Sequence, residues 1–87
     1  MVSAKVILSA PTGLHARPAG ELVRLVKGFS GSTVKIATPE RSVNAASMLS
    51  VLSLGIRQGT ELEVSVEGGD ESAVLEAVTS FIASVTD

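Results

Sequence analysis

Residues 61–67 read Glu-Leu-Glu-Val-Ser-Val-Glu, a strict alternation of polar and apolar side chains. Because successive side chains of a strand point to opposite faces, this segment predicts a β-strand with one buried and one solvated face. Such strands are typical of an antiparallel sheet that is covered on one side only. Residues 2–9 alternate in the same way, and residues 33–37 and 41–43 predict two shorter strands. The polar face carries a row of three glutamates, which alternation assigns to a solvated surface rather than to a cation site: Glu61, Glu63 and Glu67.

Between the strands the apolar period changes to that of an amphipathic helix. Over residues 16–27 the apolar positions at helical spacing are Ala19, Leu22, Val23 and Val26. Gly28 is a natural stop for this helix. Pro18 suits a first helical turn but disfavours helical angles at the residue before it. The helix therefore begins either at Ala16 or at Pro18.

Two further helices complete the predicted order. Residues 45–54 form a short apolar stretch with Gly55 as its stop, and Asp70 is a predicted N-cap. The apolar positions of the last helix repeat to the C-terminus at Val74, Val78, Phe81, Ile82 and Val85. The order is β-α-β-β-α-β-α. With 87 residues, the chain is predicted to form one α+β domain, residues 1–87, with helices on one face of an antiparallel sheet.

Composition excludes several classes of function. The chain has no cysteine and one histidine, which excludes disulfides, thiolate metal sites and histidine clusters. A net charge of −2 and the absence of Trp and Tyr argue against a nucleic-acid partner. The longest uncharged stretch, residues 42–56, is too short to span a bilayer, and no secretory signal is visible. We expect a cytoplasmic protein with no membrane insertion, no metal and no cofactor.

The segment from Gly13 to Pro18 holds the single histidine, His15, where the first helix is predicted to begin. Unpartnered N–H groups and the helix dipole favour an anion at such a position, and phosphate is a frequent one. Neutral imidazole is a nucleophile, and the Arg17 guanidinium matches phosphate oxygens. Thr12 is the nearby hydroxyl, and no hydrolytic triad is present. A site that accepts a phosphoryl group but cannot activate water is expected to hold the group and pass it on.

This segment resembles the active-site signature of HPr, the histidine-containing phosphocarrier family of the bacterial phosphoenolpyruvate-dependent sugar phosphotransferase system. Residues 42–56, Ser-Val-Asn-Ala-Ala-Ser-Met-Leu-Ser-Val-Leu-Ser-Leu-Gly-Ile, are similar to that family's regulatory serine region. The order of strands and helices matches the family along the whole chain. The resemblance implies an open-faced β-sandwich, in which a four-stranded antiparallel sheet is covered on one face by three helices.

The resemblance also implies a role for each residue of the first motif. His15 would receive a phosphoryl group on Nδ1 from phosphorylated Enzyme I and pass it to the A component of a sugar-specific Enzyme II. Arg17 would be the phosphate partner, and the main-chain N–H groups of Ala16 and Arg17 would bind phosphate oxygens. Thr12 would be a supporting contact. Such a protein is a transiently phosphorylated carrier rather than an enzyme, and we expect a monomer.

Ser47 has two interpretations, which the sequence leaves open. It is a preferred residue for a helix N-cap, and it also matches the serine that HPr kinase/phosphorylase modifies in many family members. Phosphorylation there would block docking to Enzyme I or create a site for a catabolite-control regulator. Ala46 stands where many regulated members have a lysine, so the charge that would pair with a phosphoserine is absent.

The apolar residues after Ser47 are too many for a short helix to bury, so we expect part of the set to form a docking patch beside His15. The residues assigned to this patch are Met48, Leu49 and Leu52, together with Gly20, whose missing side chain would let a partner approach. For Gly20, sequence drift is an equally good explanation.

Three alternative functions stay open: a carrier in a nitrogen-related or dihydroxyacetone-kinase branch, an HPr-like regulator that relays no phosphate, and a small-molecule sensor.

Overall fold

Strands and helices alternate in the predicted β-α-β-β-α-β-α order in the computed structural model, which describes residues 1–85. The described residues form seven elements. They are β1 (Val2–Ile7), α1 (Ala16–Lys27), β2 (Thr33–Ala37), β3 (Ser42–Asn44), α2 (Met48–Ser53), β4 (Glu61–Glu67) and α3 (Glu71–Ser84).

The four strands form one sheet in the order β1-β4-β2-β3, and every neighbouring pair is antiparallel. On β4 the three apolar side chains are fully buried beneath the helices, whereas its glutamates are exposed on the other face. Cross-strand pairs keep the faces in register, since Val64 lies opposite Ala4 on β1 and Ile36 on β2. The predicted fold class is confirmed: the sheet is covered on one side and open on the other.

The helices contribute the other half of the core. All four apolar positions predicted for α1 are buried, and Pro18 is buried with them. On α3, Val74, Val78 and Ile82 are buried, but Phe81 is only partly covered. The helix ends at Ser84, because Val85 adopts extended angles (φ −66°, ψ 126°). The predicted continuation to the C-terminus through residues 86 and 87 lies outside the described residues. Within residues 1–85, no helix is long and apolar enough to cross a bilayer.

Some predicted boundaries are wrong. The second helix begins at Met48 rather than at residue 45, because side-chain hydrogen bonds replace helical ones in the turn before it. Asn44 Oδ1 accepts a bond from the Ala46 N–H at 2.8 Å, which holds a turn that competes with the helix. β1 ends two residues early, and β3 is displaced by one residue relative to the prediction 41–43. The two glycines predicted to end helices do follow them, Gly28 after α1 and Gly55 after α2. Gly28 has right-handed backbone angles (φ −71°), whereas Gly55 has left-handed ones (φ +61°).

Candidate functional site

Helix α1 begins at Ala16, so the open question of its start is settled in favour of the earlier position. His15 is the N-cap, in extended conformation, and its carbonyl accepts the Ala19 N–H at 3.0 Å. Pro18 stands in the first turn, where a missing N–H costs no intrahelical bond. The N–H groups of Ala16 and Arg17 therefore precede the first intrahelical bond at the positive end of the helix dipole.

The imidazole of His15 is exposed and makes no capping hydrogen bond to the helix. In the part of the chain that the structure describes, no carboxylate forms an ion pair with this ring. No polar or charged side chain of that part is buried. The ring thus stands in solvent.

The loop before His15 is held by a tight glycine turn. The Gly13 N–H donates to the Ala10 carbonyl at 3.0 Å, and the next N–H, from buried Leu14, donates to the Ile56 carbonyl at 3.1 Å. Gly13 has a left-handed φ of +72°, and a Cβ at this position would lie only 2.5 Å from the Ile56 carbonyl oxygen. Glycine is required here both by the backbone angle and by the close approach of the neighbouring loop.

That neighbouring loop, residues 56–60, is in turn fastened to the end of β1. The Leu8 N–H donates to the Thr60 carbonyl at 3.1 Å, and the Gly59 N–H donates to the Leu8 carbonyl at 2.7 Å. The Gln58 amide adds a bond to the Ser9 carbonyl at 3.2 Å. His15 is therefore carried on a loop that is braced from a segment more than forty positions away, which no local pattern in the sequence revealed.

The two other side chains predicted for this motif lie on either side of His15 in the chain, both exposed. Arg17 is exposed in the first turn of α1, two positions after His15. Thr12 is exposed in the turn at residues 11–12, and no hydrogen bond of its hydroxyl is found among the described residues. Their roles toward a phosphoryl group stay predictions, as does that of the Ala16 N–H.

Ser47 is the N-cap of α2, and its hydroxyl oxygen accepts the Ser50 N–H at 3.3 Å. The capping interpretation is thus confirmed. The phosphorylation interpretation stays a prediction. The Ser47 side chain is half-buried, so its oxygen is engaged in the cap but is not sealed from solvent.

Three residues on α2 with large apolar side chains keep more than a third of their surface exposed, which agrees with the expectation that the helix cannot bury its whole set. Leu49 is 83% exposed, Met48 37% and Leu52 36%, whereas Val51 between them is buried. Gly20 on α1 faces this group, because a Cβ there would lie 3.7 Å from Met48 Cε. We call Gly20, Met48, Leu49 and Leu52 the α2 patch.

The acidic residues form no metal site within residues 1–85. Glu71, at the start of α3, has a structural role instead. Its Oε2 accepts the Gly68 N–H at 2.8 Å, and its Oε1 lies 3.2 Å from the Met1 amino group. The Gly68 hydrogen bond, followed by the amino group, lowers the pKa of the Glu71 carboxyl.

Comparison with known proteins points to a single family. The model of the family described as the PTS HPr component phosphorylation site matches residues 2–84. The chain is 38% identical over 72 residues to the phosphocarrier protein HPr of Lysinibacillus sphaericus, which covers 83% of this chain and 81% of the relative. It is 40% identical over 76 residues to that of Buchnera aphidicola, covering 87% and 88%. The structure of HPr-C-His from Thermoanaerobacter tengcongensis superposes with a TM-score of 0.90 at 36% identity, covering 97% and 93% of the two chains.

Proposed function

This chain belongs to the HPr family of phosphocarrier proteins, and on that premise we propose that it carries a phosphoryl group on His15 between two protein partners. The donor is phosphorylated Enzyme I, and the acceptor is the A component of a sugar-specific Enzyme II. The observation that carries the proposal is the exposed imidazole at the N-cap of α1, with Arg17 in the first helical turn. These features support the proposal because a nucleophile, the positive end of a helix dipole and an arginine lie within three consecutive positions of the chain.

The proposed transfer step uses the Nδ1 atom that the family resemblance implies. The neutral ring attacks the phosphorus atom with the lone pair of Nδ1 while Nε2 keeps its proton. The bond between phosphorus and the donor breaks as the new P–N bond forms, and the donor leaves with that electron pair. The helix dipole, the N–H groups of Ala16 and Arg17, and the Arg17 guanidinium stabilise the added negative charge. Thr12 is a supporting contact in the adjoining turn.

The exposed ring also explains why the group is held and passed on. Release to water would need a base that activates a water molecule, and no carboxylate is paired with His15 among residues 1–85. Transfer to a second protein needs only that the partner presents its own nucleophile to the same exposed site. The retained histidine therefore favours a relay over an HPr-like regulator that carries no phosphate.

Partners dock on the α2 patch in this proposal. Leu49 is the most exposed of its members, and burying an exposed leucine against a partner contributes about 1.5–3 kcal/mol. Enzyme I and the Enzyme II A component would use the patch in turn, and the protein would act as a monomer. Phosphorylation of Ser47 by HPr kinase/phosphorylase would place about two negative charges on the edge of this apolar surface and oppose docking.

The carrier role is tested by incubation with Enzyme I and phosphoenolpyruvate. We expect a mass increase of one phosphoryl group that is lost in mild acid, because phosphohistidine is acid-labile. His15→Ala should gain nothing. If the wild type gains no mass, or if the variant still gains it, the proposed function is wrong. A second incubation with HPr kinase and ATP should yield an acid-stable phosphate that Ser47→Ala abolishes, if Ser47 is a regulatory position.

The docking role is tested with two matched substitutions. Leu49→Ser removes an exposed leucine from the α2 patch, and Ile7→Ser removes an isoleucine that is 56% exposed on the uncovered face of the sheet. We expect the Leu49 variant alone to raise the concentration at which Enzyme I phosphorylation is half-maximal. Equal behaviour of the two variants would show that partners do not use the patch.

A further inference from the structure

Arg57 approaches the His15 loop from a distant part of the chain. A Cβ at Gly13, two positions before His15, would lie 3.1 Å from the Arg57 Cα, so the two backbones are in direct contact. The Leu14–Ile56 hydrogen bond of 3.1 Å secures this contact on the next pair of residues. Arg57 is therefore fixed relative to His15 by main-chain geometry rather than by a flexible side chain.

The main chain of Arg57 is held by two hydrogen bonds, neither of which involves its side chain. Its N–H donates to Thr60 Oγ1 at 3.1 Å, and its carbonyl accepts the Thr60 N–H at 3.1 Å. The residue is exposed. Within residues 1–85, its guanidinium forms no ion pair and no side-chain hydrogen bond. The Arg57 main chain thus forms a fixed base that lies against Gly13, two positions before His15, and its exposed guanidinium is not paired with any group of residues 1–85.

We propose that Arg57 is a second phosphoryl-binding cation of this site, whose guanidinium donates to the oxygens of a phosphoryl group on His15. The inference rests on the proposed function, because it requires that His15 carries such a group. Guanidinium N–H groups match phosphate oxygens in charge and geometry. The contact between the Arg57 and Gly13 backbones puts the base of the arginine side chain two positions in sequence from His15, and the proposal requires that the side chain extend toward that residue. Arg17 and Arg57 then approach the phosphoryl group from two sides, one along the helix and one from the neighbouring loop.

A second cation has a measurable consequence for the phosphoryl group. It favours the dianion over the monoanion, so it lowers the second pKa of the phosphoryl group. Two unit charges roughly 6 Å apart in water shift each other's pKa by about half a unit. Loss of the Arg57 charge should therefore raise that pKa by about half a unit, and a lysine at the same position should keep most of the effect.

The experiment uses phosphoramidate, which phosphorylates histidine without Enzyme I. The imidazole nitrogen forms a bond to phosphorus, the P–N bond of phosphoramidate breaks, and ammonia leaves. The second pKa of the resulting phosphohistidine is then measured by ³¹P NMR titration in the wild type, Arg57→Gln and Arg57→Lys. Lys35→Gln is the matched control, since it removes the same charge from the open face of the sheet. ¹H–¹⁵N spectra confirm that each variant is folded.

The expected result is a raised pKa in Arg57→Gln alone, with recovery in Arg57→Lys. The inference is refuted if Arg57→Gln leaves the pKa unchanged, or if Lys35→Gln raises it equally, because the effect would then be one of net charge. Failure of Enzyme I to phosphorylate the protein, with the Arg57 shift intact after phosphoramidate, would overturn the relay but not the second cation. Failure of both Enzyme I and phosphoramidate to modify His15 would overturn both.

Discussion

Gly13 offers the sharpest test of how the site is built, because its substitution combines backbone strain with a steric clash. Gly13→Ala must adopt φ near +72°, and its new methyl group would lie 2.5 Å from the Ile56 carbonyl oxygen. Gly55 is the matched control, since its φ is +61° and nothing lies within 4 Å of a Cβ there. The difference between the two variants isolates the clash between the His15 loop and the 56–60 loop.

The magnitudes follow from two contributions. A left-handed alanine costs about 1–2 kcal/mol, and the stiffer unfolded chain returns about 0.4–1 kcal/mol. Both terms apply equally to Gly55→Ala, which should therefore lose about 1 kcal/mol. Overpacking adds about 1–3 kcal/mol for Gly13→Ala. A chain of 87 residues has a stability of about 4–13 kcal/mol, so the variant should remain folded and measurable.

The assay is urea unfolding followed by far-UV circular dichroism, because the chain has no Trp or Tyr to report by fluorescence. We expect Gly13→Ala to lose about 1–3 kcal/mol more than Gly55→Ala at an unchanged dependence on urea. The Leu14 amide should also exchange faster, since the clash displaces the carbonyl that accepts its N–H. Equal losses of unfolding free energy in the two variants would refute the reasoning, because the 56–60 loop would then have moved away from the new methyl group at no loss of stability.

Three further predictions address other parts of the fold. Gly20→Ala should raise the free energy of unfolding by up to about 1 kcal/mol, because alanine is the better helix former and its methyl group meets Met48 at an ordinary contact distance of 3.7 Å; a loss of stability in urea would contradict this. Ser47→Ala should cost about 0.5–2 kcal/mol through loss of the α2 cap, and an unchanged unfolding midpoint would show that the cap contributes nothing. Glu71 contributes stability that is fully present above the pKa of an unfolded glutamate, about 4.3, and is lost as the pH falls through its lowered folded pKa. Glu71→Gln should therefore flatten the acid side of the stability–pH curve, and a curve with unchanged slope below pH 4.3 would count against the Gly68 contact.

Much of the fold could be predicted because its determinants are local. The alternation at residues 61–67 and the helical period at residues 16–27 predict which side chains face the core. The buried side chains of β4 and α1 confirm both predictions. The wrong start of the second helix has a local competitor. Asn44 bonds to the Ala46 N–H and so replaces the first turn of the predicted helix with a capped turn that begins α2 at Met48.

The sequence by itself also determined which groups lie near His15 along the chain, since Ala16 follows it directly and Arg17 comes two positions after it. Only the tertiary structure decided that Arg57 lies against Gly13 and that Leu49 is exposed while Val51 is buried. The physical reason is that hydrogen bonds between segments distant in the chain, such as Leu14 to Ile56, depend on how helices and sheet pack together. No periodicity within either segment specifies that packing.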